Sequence, residues 1–436
     1  MGNQHSEQRN NDSSKEKSGL SPIPGVVMKW GTCAECKKPN TGWNWCQQCN
    51  SKHFQRCFQY WTSNNEIIDE FIRDTQMLAT THSYVFEWIP YKKFYKIEYI
   101  TRGGFGKVYS ATWLDGRIMS WDSDVRLWKQ YKYKQKVALK TIYNGMTITR
   151  EFLAEIKSHA EHDDPSYIAN WFGISQDPLS KEYIMVMKYY EHGSIRDYLR
   201  NNHINWLQKM KFIRQLSFAL STIHGCDFCH RNLHTGNILV DHFPFARISD
   251  LGQGHLIDTR EESGSKKNFI FGVLPYIAPE VLRGYVKYSK SADIYSFGVI
   301  ICEIFSEQPP FNDIAHDFQL AMGICKGDRP QIKQDVPSPI AELIKLCWDG
   351  EYYKRPTAKQ LVEILENALE NDWKIPPELM GDDKKIANEI KMFLKSHGKE
   401  TLSDFKIYIK DQNNNHPEAI YKSRELDFPE LSDSYE

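Results

Sequence analysis

Apolar and polar positions divide the chain unevenly. Residues 1–25 are rich in Asn, Ser, Gln, Lys and Glu and offer almost nothing to bury, so they read as a disordered tail. After Ser63-Asn64-Asn65, which supplies helix caps, an apolar stripe of Ile67, Ile68, Phe71, Ile72, Met77 and Leu78 predicts a helix over about 65–80 that packs on a neighbour. Pro90 ends that connection. Strands are expected near Tyr95–Thr101, around Val137–Lys140 and at Tyr183–Met187, with a helical pattern over Arg150–Ala160 between the last two. Long helices follow at 206–224 and from Asp293 onward. From Asn371 the chain turns polar again. One amphipathic helix is expected at about 384–396, and the end is expected to be flexible. The implied division is 1–25 tail, 26–62 cysteine module, 63–94 helical linker, 95–370 main domain and 371–436 flexible tail.

Composition narrows the class. At 436 residues, 41% apolar and 25% charged, the chain has room for one large domain or two to three smaller ones. A net charge of −1 gives no global basic field for nucleic acid. No apolar run approaches the roughly 18 residues of a membrane span, and the polar first 20 residues are no secretory signal. Ten cysteines in that setting point to a reducing, cytoplasmic environment and to metal binding over disulfides. Met1-Gly2-Asn3-Gln4-His5-Ser6 fits the pattern for N-myristoylation at Gly2. One acyl chain would give only weak, peripheral membrane association.

Cys33-x₂-Cys36 and Cys46-x₂-Cys49 lie nine residues apart. Each pair can close a turn that presents two thiolates to one tetrahedral ion, and two such turns complete a Cys₄ zinc site with a structural role. His53 and Cys57, just beyond, read as ordinary side chains. With Trp30 and Asn40 the module is loosely similar to small Ran-binding-protein-type fingers, which bind RNA or ubiquitin.

The chemistry centres on His230-Arg231-Asn232-Leu233-His234-Thr235-Gly236-Asn237, with Asp250-Leu251-Gly252 thirteen residues after Asn237. Upstream stand Ile100-Thr101-Arg102-Gly103-Gly104-Phe105-Gly106-Lys107-Val108 and Val137-Ala138-Leu139-Lys140. Downstream stand Ala278-Pro279-Glu280, Asp293-Ile294-Tyr295-Ser296-Phe297-Gly298 and Arg355-Pro356-Thr357. In order and spacing the set resembles the protein kinase superfamily, in its tyrosine-kinase-like group, over roughly 95–370. With the N-terminal CxxC pair it also resembles an expanded fungal set of such kinases.

The resemblance implies an α+β bilobal fold, with a small antiparallel β lobe and a large helical lobe. It implies ATP and Mg²⁺ as ligands and a protein substrate or signalling partner. Ile100, Gly103, Gly104 and Gly106 would cover the phosphates, and Val108, Ala138 and Leu239 would sandwich adenine. Met187 would stand as gatekeeper before a hinge containing Tyr190. Lys140, paired with Glu155, would hold the α/β-phosphates, while Asn237 and Asp250 would hold Mg²⁺. Glu280 and Arg355 would form a buried ion pair. The Trp-rich excess at about 113–135 would be a loop folded over the small lobe or a docking surface. Cys226 and Cys229 would be buried thiols.

The chain departs from the pattern where substrate is handled. Asn232 replaces the Asp that accepts the substrate hydroxyl's proton. His234 stands where Ser/Thr kinases place a Lys, Val273 where they place a Thr, and Thr101 where the first glycine belongs. Three readings follow. The first is a nucleotide-binding pseudokinase acting as switch or scaffold. The second is an active protein kinase passing the γ-phosphate to Ser, Thr or Tyr. The third makes the zinc module an RNA- or ubiquitin-binding effector. Thr259, Ser263 and Ser265 are candidate phosphorylation sites in the activation segment, with Arg231 placed to grip a phosphate.

Overall fold

The computed structural model describes residues 30–103, 106–131, 134–142, 167–202, 204–242, 245–250, 270–284, 288–334, 336–369 and 415–428, with the single positions Ile148, Arg150, Leu153 and Met392. Gly2, Gly104, Glu155, the phosphorylation candidates Thr259, Ser263 and Ser265, and all but Met392 of the 384–396 helix lie outside the described residues.

The first cysteine pair precedes helix α1 (Gln47–Cys57), while Cys46 is its N-cap residue and Cys49 lies in its first turn. Helix α2 (Glu66–Leu78) begins where the sequence places it, because the Asn65 side chain accepts hydrogen bonds from the N–H groups of Ile67 and Ile68. Its stripe packs on the small lobe, where Ile68, Phe71 and Ile72 share a core with Phe86, Ile148, Leu153, Ile174 and Met185. Leu78, counted in the stripe, is exposed instead at the helix end.

The small lobe is built on one six-stranded sheet. Its strands are β1 (Glu87–Trp88), β2 (Phe94–Gly103) and β3 (Gly106–Trp113), then, beyond a hairpin of β4 (Ile118–Asp122) and β5 (Leu127–Gln130), β6 (Gln135–Thr141), β7 (Trp171–Gln176) and β8 (Tyr183–Lys188). The order is β1-β7-β8-β6-β3-β2. Every neighbouring pair is antiparallel except β1 on β7, so the linker extends the sheet with one short parallel strand. Gly173 makes that pairing close: a Cβ there would stand 1.9 Å from the Glu87 carbonyl oxygen.

The Trp-rich hairpin β4–β5 folds over the cysteine module, not over the small lobe alone. Trp128 stacks on Phe54 at 4.1 Å, and Trp121 stacks on His53 at 3.9 Å. His53, read as an ordinary side chain, also meets the Glu35 carboxylate at 3.0 Å. Trp45, fully buried, donates its indole N–H to the Ala79 carbonyl. The short, polar module thus gains a core from residues well outside it.

The large lobe follows, with α3 (Ile195–Asn201), α4 (Trp206–Gly225), the β9–β10 hairpin (Ile238–His242, Phe245–Ile248), β11 (Ile270–Gly272), the short α5 (Pro279–Leu282), α6 (Lys290–Ser306), α7 (Phe318–Lys326), α8 (Ser338–Cys347) and α9 (Ala358–Leu369). Helix α6 is buried from Ala292 to Ser306 and forms the lobe's axis. Arg355 and Glu280 form a bidentate pair at 2.7 and 2.8 Å, which ties α5 to the segment before α9. Cys226 and Cys229 are half-buried thiols outside any disulfide, and burial pushes Cys229 up to about 12.

The end of the chain differs from its expectation. Residues 415–428, inside the stretch expected to be flexible, are packed on the large lobe. There β12 (Arg424–Leu426) pairs antiparallel with β11, and Leu426 is buried in the main core. Composition missed this because the order comes from tertiary partners, described below. Among the described residues, no helix is long and apolar enough to cross a membrane.

Candidate functional site

A cavity of about 500 Å³ lies between the lobes. Its deep wall is apolar. Val108 comes from β3, Ala138 from β6, Met187 from the end of β8, Tyr190 from the hinge and Leu239 from β9. Met187 sits opposite Ala138 in the β6–β8 register, and the two pack with Tyr190 and Leu239. The Tyr190 hydroxyl is held by the Asn170 N–H, and burial pushes it up to about 12. Ile100 and Gly103 of β2 also line the cavity, as does Thr101. Gly106, read as a phosphate contact, does not line it. At φ +151° its missing side chain lets β3 pass Thr141, whose carbonyl oxygen would stand 1.9 Å from a Cβ.

The polar end brings together Lys140 of β6, Asp250 and the loop that carries Asn232 and Asn237. Lys140 Nζ pairs with Asp250 Oδ1 at 2.6 Å. Asp250 adopts φ +67°, which turns the backbone sharply after Ser249. Asn237 donates from Nδ2 to the Asn232 carbonyl at 2.9 Å, which leaves its carboxamide oxygen to a hard cation. The loop bearing Asn232 is clamped from below by Asp293, whose carboxylate accepts the N–H groups of His230 and Arg231 at 2.7 and 3.0 Å. His230 accepts the Asn232 N–H at Nδ1, so its Nε2–H donates to the Ser249 carbonyl at 2.9 Å. One histidine therefore ties the Asn232 loop to the strand leading into Asp250.

Asn232 is 4% exposed, and its side chain is engaged by Ser423 of the C-terminal segment. Ser423 Oγ lies 3.1 Å from both Asn232 Nδ2 and Oδ1, and 3.0 Å from His234 Nε2. Val273 is buried in the large-lobe core and brings no hydroxyl to this place.

Burial disfavours the charged form of the histidines here. Burial, with Arg196, His230 and Lys140 nearby, holds His234 well below its ordinary 6.5. Burial likewise lowers His230 and His316. An unfolded chain protonates these side chains near 6.5, whereas the folded chain resists. The stability their neutral forms contribute is complete above that value and is lost as pH falls below it, by at most about 1.4 kcal/mol per pH unit for each histidine. The melting temperature should therefore drop between pH 7 and pH 5. In a scan of melting temperature against pH, His234→Gln should shallow that drop, and an unchanged slope would show that His234 takes no part.

The second cluster is the cysteine module. Cys33 and Cys49 sulfurs lie 3.8 Å apart, Cys36 and Cys46 3.6 Å apart, and all four within 4.8 Å of one another. A tetrahedral ion with metal–sulfur bonds of about 2.3 Å separates its sulfurs by about 3.8 Å, so these four could hold one. Burial raises the Cys46 and Cys49 thiols, while the Lys38 N–H lowers Cys36 to about 7. A divalent cation is the partner that lets all four ionise together.

Comparison with known proteins agrees with this geometry. The sequence profile of the protein tyrosine and serine/threonine kinases matches residues 94–365. The probable serine/threonine-protein kinase gdt4 of Dictyostelium discoideum is 29% identical over 281 residues, which is 62% of this chain and 16% of that protein. A probable LIM domain-containing serine/threonine-protein kinase of the same organism is 25% identical over 275 residues, 62% of this chain and 39% of its own length. The dual specificity protein kinase pyk3, also from Dictyostelium discoideum, is 29% identical over 244 residues, 55% of this chain and 17% of its own. In each case the chain spans well under two thirds of the relative.

Proposed function

Since the chain belongs to the family of protein tyrosine and serine/threonine kinases, we propose that it is a signalling protein that binds ATP with Mg²⁺ in the interlobe cavity but is impaired in passing on the γ-phosphate, and so works as a switch or scaffold. Val108, Ala138, Met187 and Leu239 receive the adenine. Lys140 takes the α/β-phosphates, and Asn237 and Asp250 offer hard oxygen ligands to Mg²⁺. The observation that carries the impairment is Asn232. A buried carboxamide, bonded to a serine hydroxyl, stands where a general base is needed, and a carboxamide has no useful basicity. The retained Lys140, Asn237 and Asp250 favour a second reading, a slow but active protein kinase, because phosphoryl transfer relies on positioning and charge more than on a base. Zinc held by Cys33, Cys36, Cys46 and Cys49 fits the module as a structural ion. The burial of Trp45, Phe54 and His53 against the β4–β5 hairpin supports that role over RNA or ubiquitin binding. A reducing, cytoplasmic setting goes with this reading, since it would keep the four thiols available to the ion.

Nucleotide binding has a direct test. At saturation of about 100 times Kd, a ligand adds about 2.7 kcal/mol of stability, so MgATP should raise the melting temperature by about 5 °C or more. Asp250→Ala should blunt the shift. No shift at millimolar MgATP would contradict the proposal.

A further inference from the structure

We propose that residues 415–428 are a tethered pseudosubstrate: they fill the groove in which an extended, hydroxyl-bearing peptide binds, with Ser423 in the acceptor's place. The proposal rests on the kinase-fold reading above for what the groove holds, and it goes further by naming the groove's occupant and the shape of its competitor.

Three observations converge. The first is backbone pairing. Strand β12 adds to β11 in the register Ile270↔Leu426, Phe271↔Glu425 and Gly272↔Arg424, the way an extended peptide adds to a free strand edge. The second is anchoring on both sides of Ser423. The Arg196 guanidinium donates to the Tyr421 carbonyl at 3.0 Å and covers its ring at 4.8 Å, while the Tyr421 hydroxyl donates to the Pro310 carbonyl at 2.9 Å. His316 donates its backbone N–H to the Glu418 carbonyl and bonds the Ile420 carbonyl through Nδ1, each at 3.0 Å. On the far side Leu426 is 4% exposed and Phe428 meets Phe318 at 6.0 Å. The third is the hydroxyl itself. Tyr421, Lys422 and Ser423 line the same cavity as Lys140 and Asp250, and Ser423 Oγ bonds His234, which lines it too.

The hydrogen-bond directions explain why this serine blocks the site and does not react. The Gly236 N–H donates to His234 Nδ1 at 3.1 Å, so the neutral ring carries its proton on Nε2 and donates to Ser423 Oγ. Asn232 Nδ2 also donates to that oxygen, and the serine proton goes to Asn232 Oδ1. Both neighbours that touch the oxygen are donors to it, and the group that accepts its hydrogen bond is a carboxamide. The hydroxyl is satisfied and has no base to take its proton. A tethered occupant acts at an effective concentration of about millimolar, so a free peptide must compete with it. The competitor this groove fits carries a Tyr two residues before the hydroxyl, a basic residue just after it and an apolar residue at the third position after it.

The test uses the full chain with a labelled synthetic peptide of residues 415–428 as probe, read by fluorescence anisotropy. Tyr421→Ala and Leu426→Asp, made separately, each remove an anchor that belongs to the segment itself. Each should bind the probe on the order of tenfold or more tighter than the unmodified chain. Backbone amides of Ile270–Gly272 should also exchange faster in both variants. Equal probe affinity in all three proteins, or unchanged exchange, would overturn the proposal. So would phosphate on Ser423 after incubation of the unmodified chain with MgATP, since the segment would then be a substrate. The MgATP melting shift should persist in Leu426→Asp, whose side chain lies outside the cavity. Its absence throughout would count against nucleotide binding alone, while the anisotropy and exchange results still decide the segment's role.

Discussion

Changing Asn232 to Asp alone should restore only weak phosphoryl transfer, well short of the roughly 10²–10⁴-fold that a general base contributes. A missing base of that size corresponds to about 3–5 kcal/mol of barrier lowering, and a carboxylate at 232 would recover part of it. Three features hold the recovery down. His234 is buried and neutral, so the γ-phosphate lacks the cation that a lysine would bring there. Val273, in the core, offers no hydroxyl to join that cation to the base. Ser423 already bonds residue 232, and an Asp carboxylate would accept that hydroxyl more strongly and hold the segment in place. Groups that act as a unit do not add singly. Adding His234→Lys and Val273→Thr should therefore raise turnover further, and Tyr421→Ala should raise it again by freeing the groove. Turnover of these variants on one peptide at saturating ATP measures the series. Full activity from the single change would show that Asn232 alone silences the enzyme.

Stripping metal from the cysteine module should unfold it. Structural zinc supplies about 10–16 kcal/mol in finger peptides at neutral pH, more than the shared Trp45–Phe54–Trp128 core can replace. Elemental analysis should find one zinc per chain, and Cys36→Ser should lose it. Trp121 and Trp128 rest on His53 and Phe54, so a chelator should free both indoles and shift tryptophan emission to longer wavelength. The small-lobe sheet, which keeps its own core around Val137, Leu139 and Val186, should survive as a separate, later transition. Folded protein that contains no zinc yet shows native emission would refute the site.

These expectations came from parts of the chain that signal locally. The order from Lys140 through Asn237, Asp250 and Glu280 to Arg355 was legible because each residue sits in a short motif, and the Glu280–Arg355 pair closes at 2.7 Å across 75 positions. The α2 cap was legible because Asn65 acts within one turn. What was not legible depends on distant partners. Strand β1 is two residues long, too short for any periodicity, and exists because Gly173 admits it. His53 is a lone histidine until the β4–β5 hairpin brings Trp121 onto it. At Gly106, spacing cannot separate close approach to Thr141 from close approach to a ligand. Residues 415–428 are largely polar, and distant partners such as Arg196, His316 and the edge of β11 give them order. Their one local sign was the apolar placing of Ile420, Tyr421, Leu426 and Phe428.

The central claim is nucleotide binding without efficient transfer. It is tested most directly by incubating the unmodified protein and its Asp250→Ala variant with γ-labelled MgATP and a generic peptide, at a nucleotide concentration that saturates the melting shift. The predicted result is a melting shift that depends on Asp250, with label in peptide and protein no greater than in the variant. Rapid labelling that Asp250→Ala abolishes would contradict the claim and establish an active kinase.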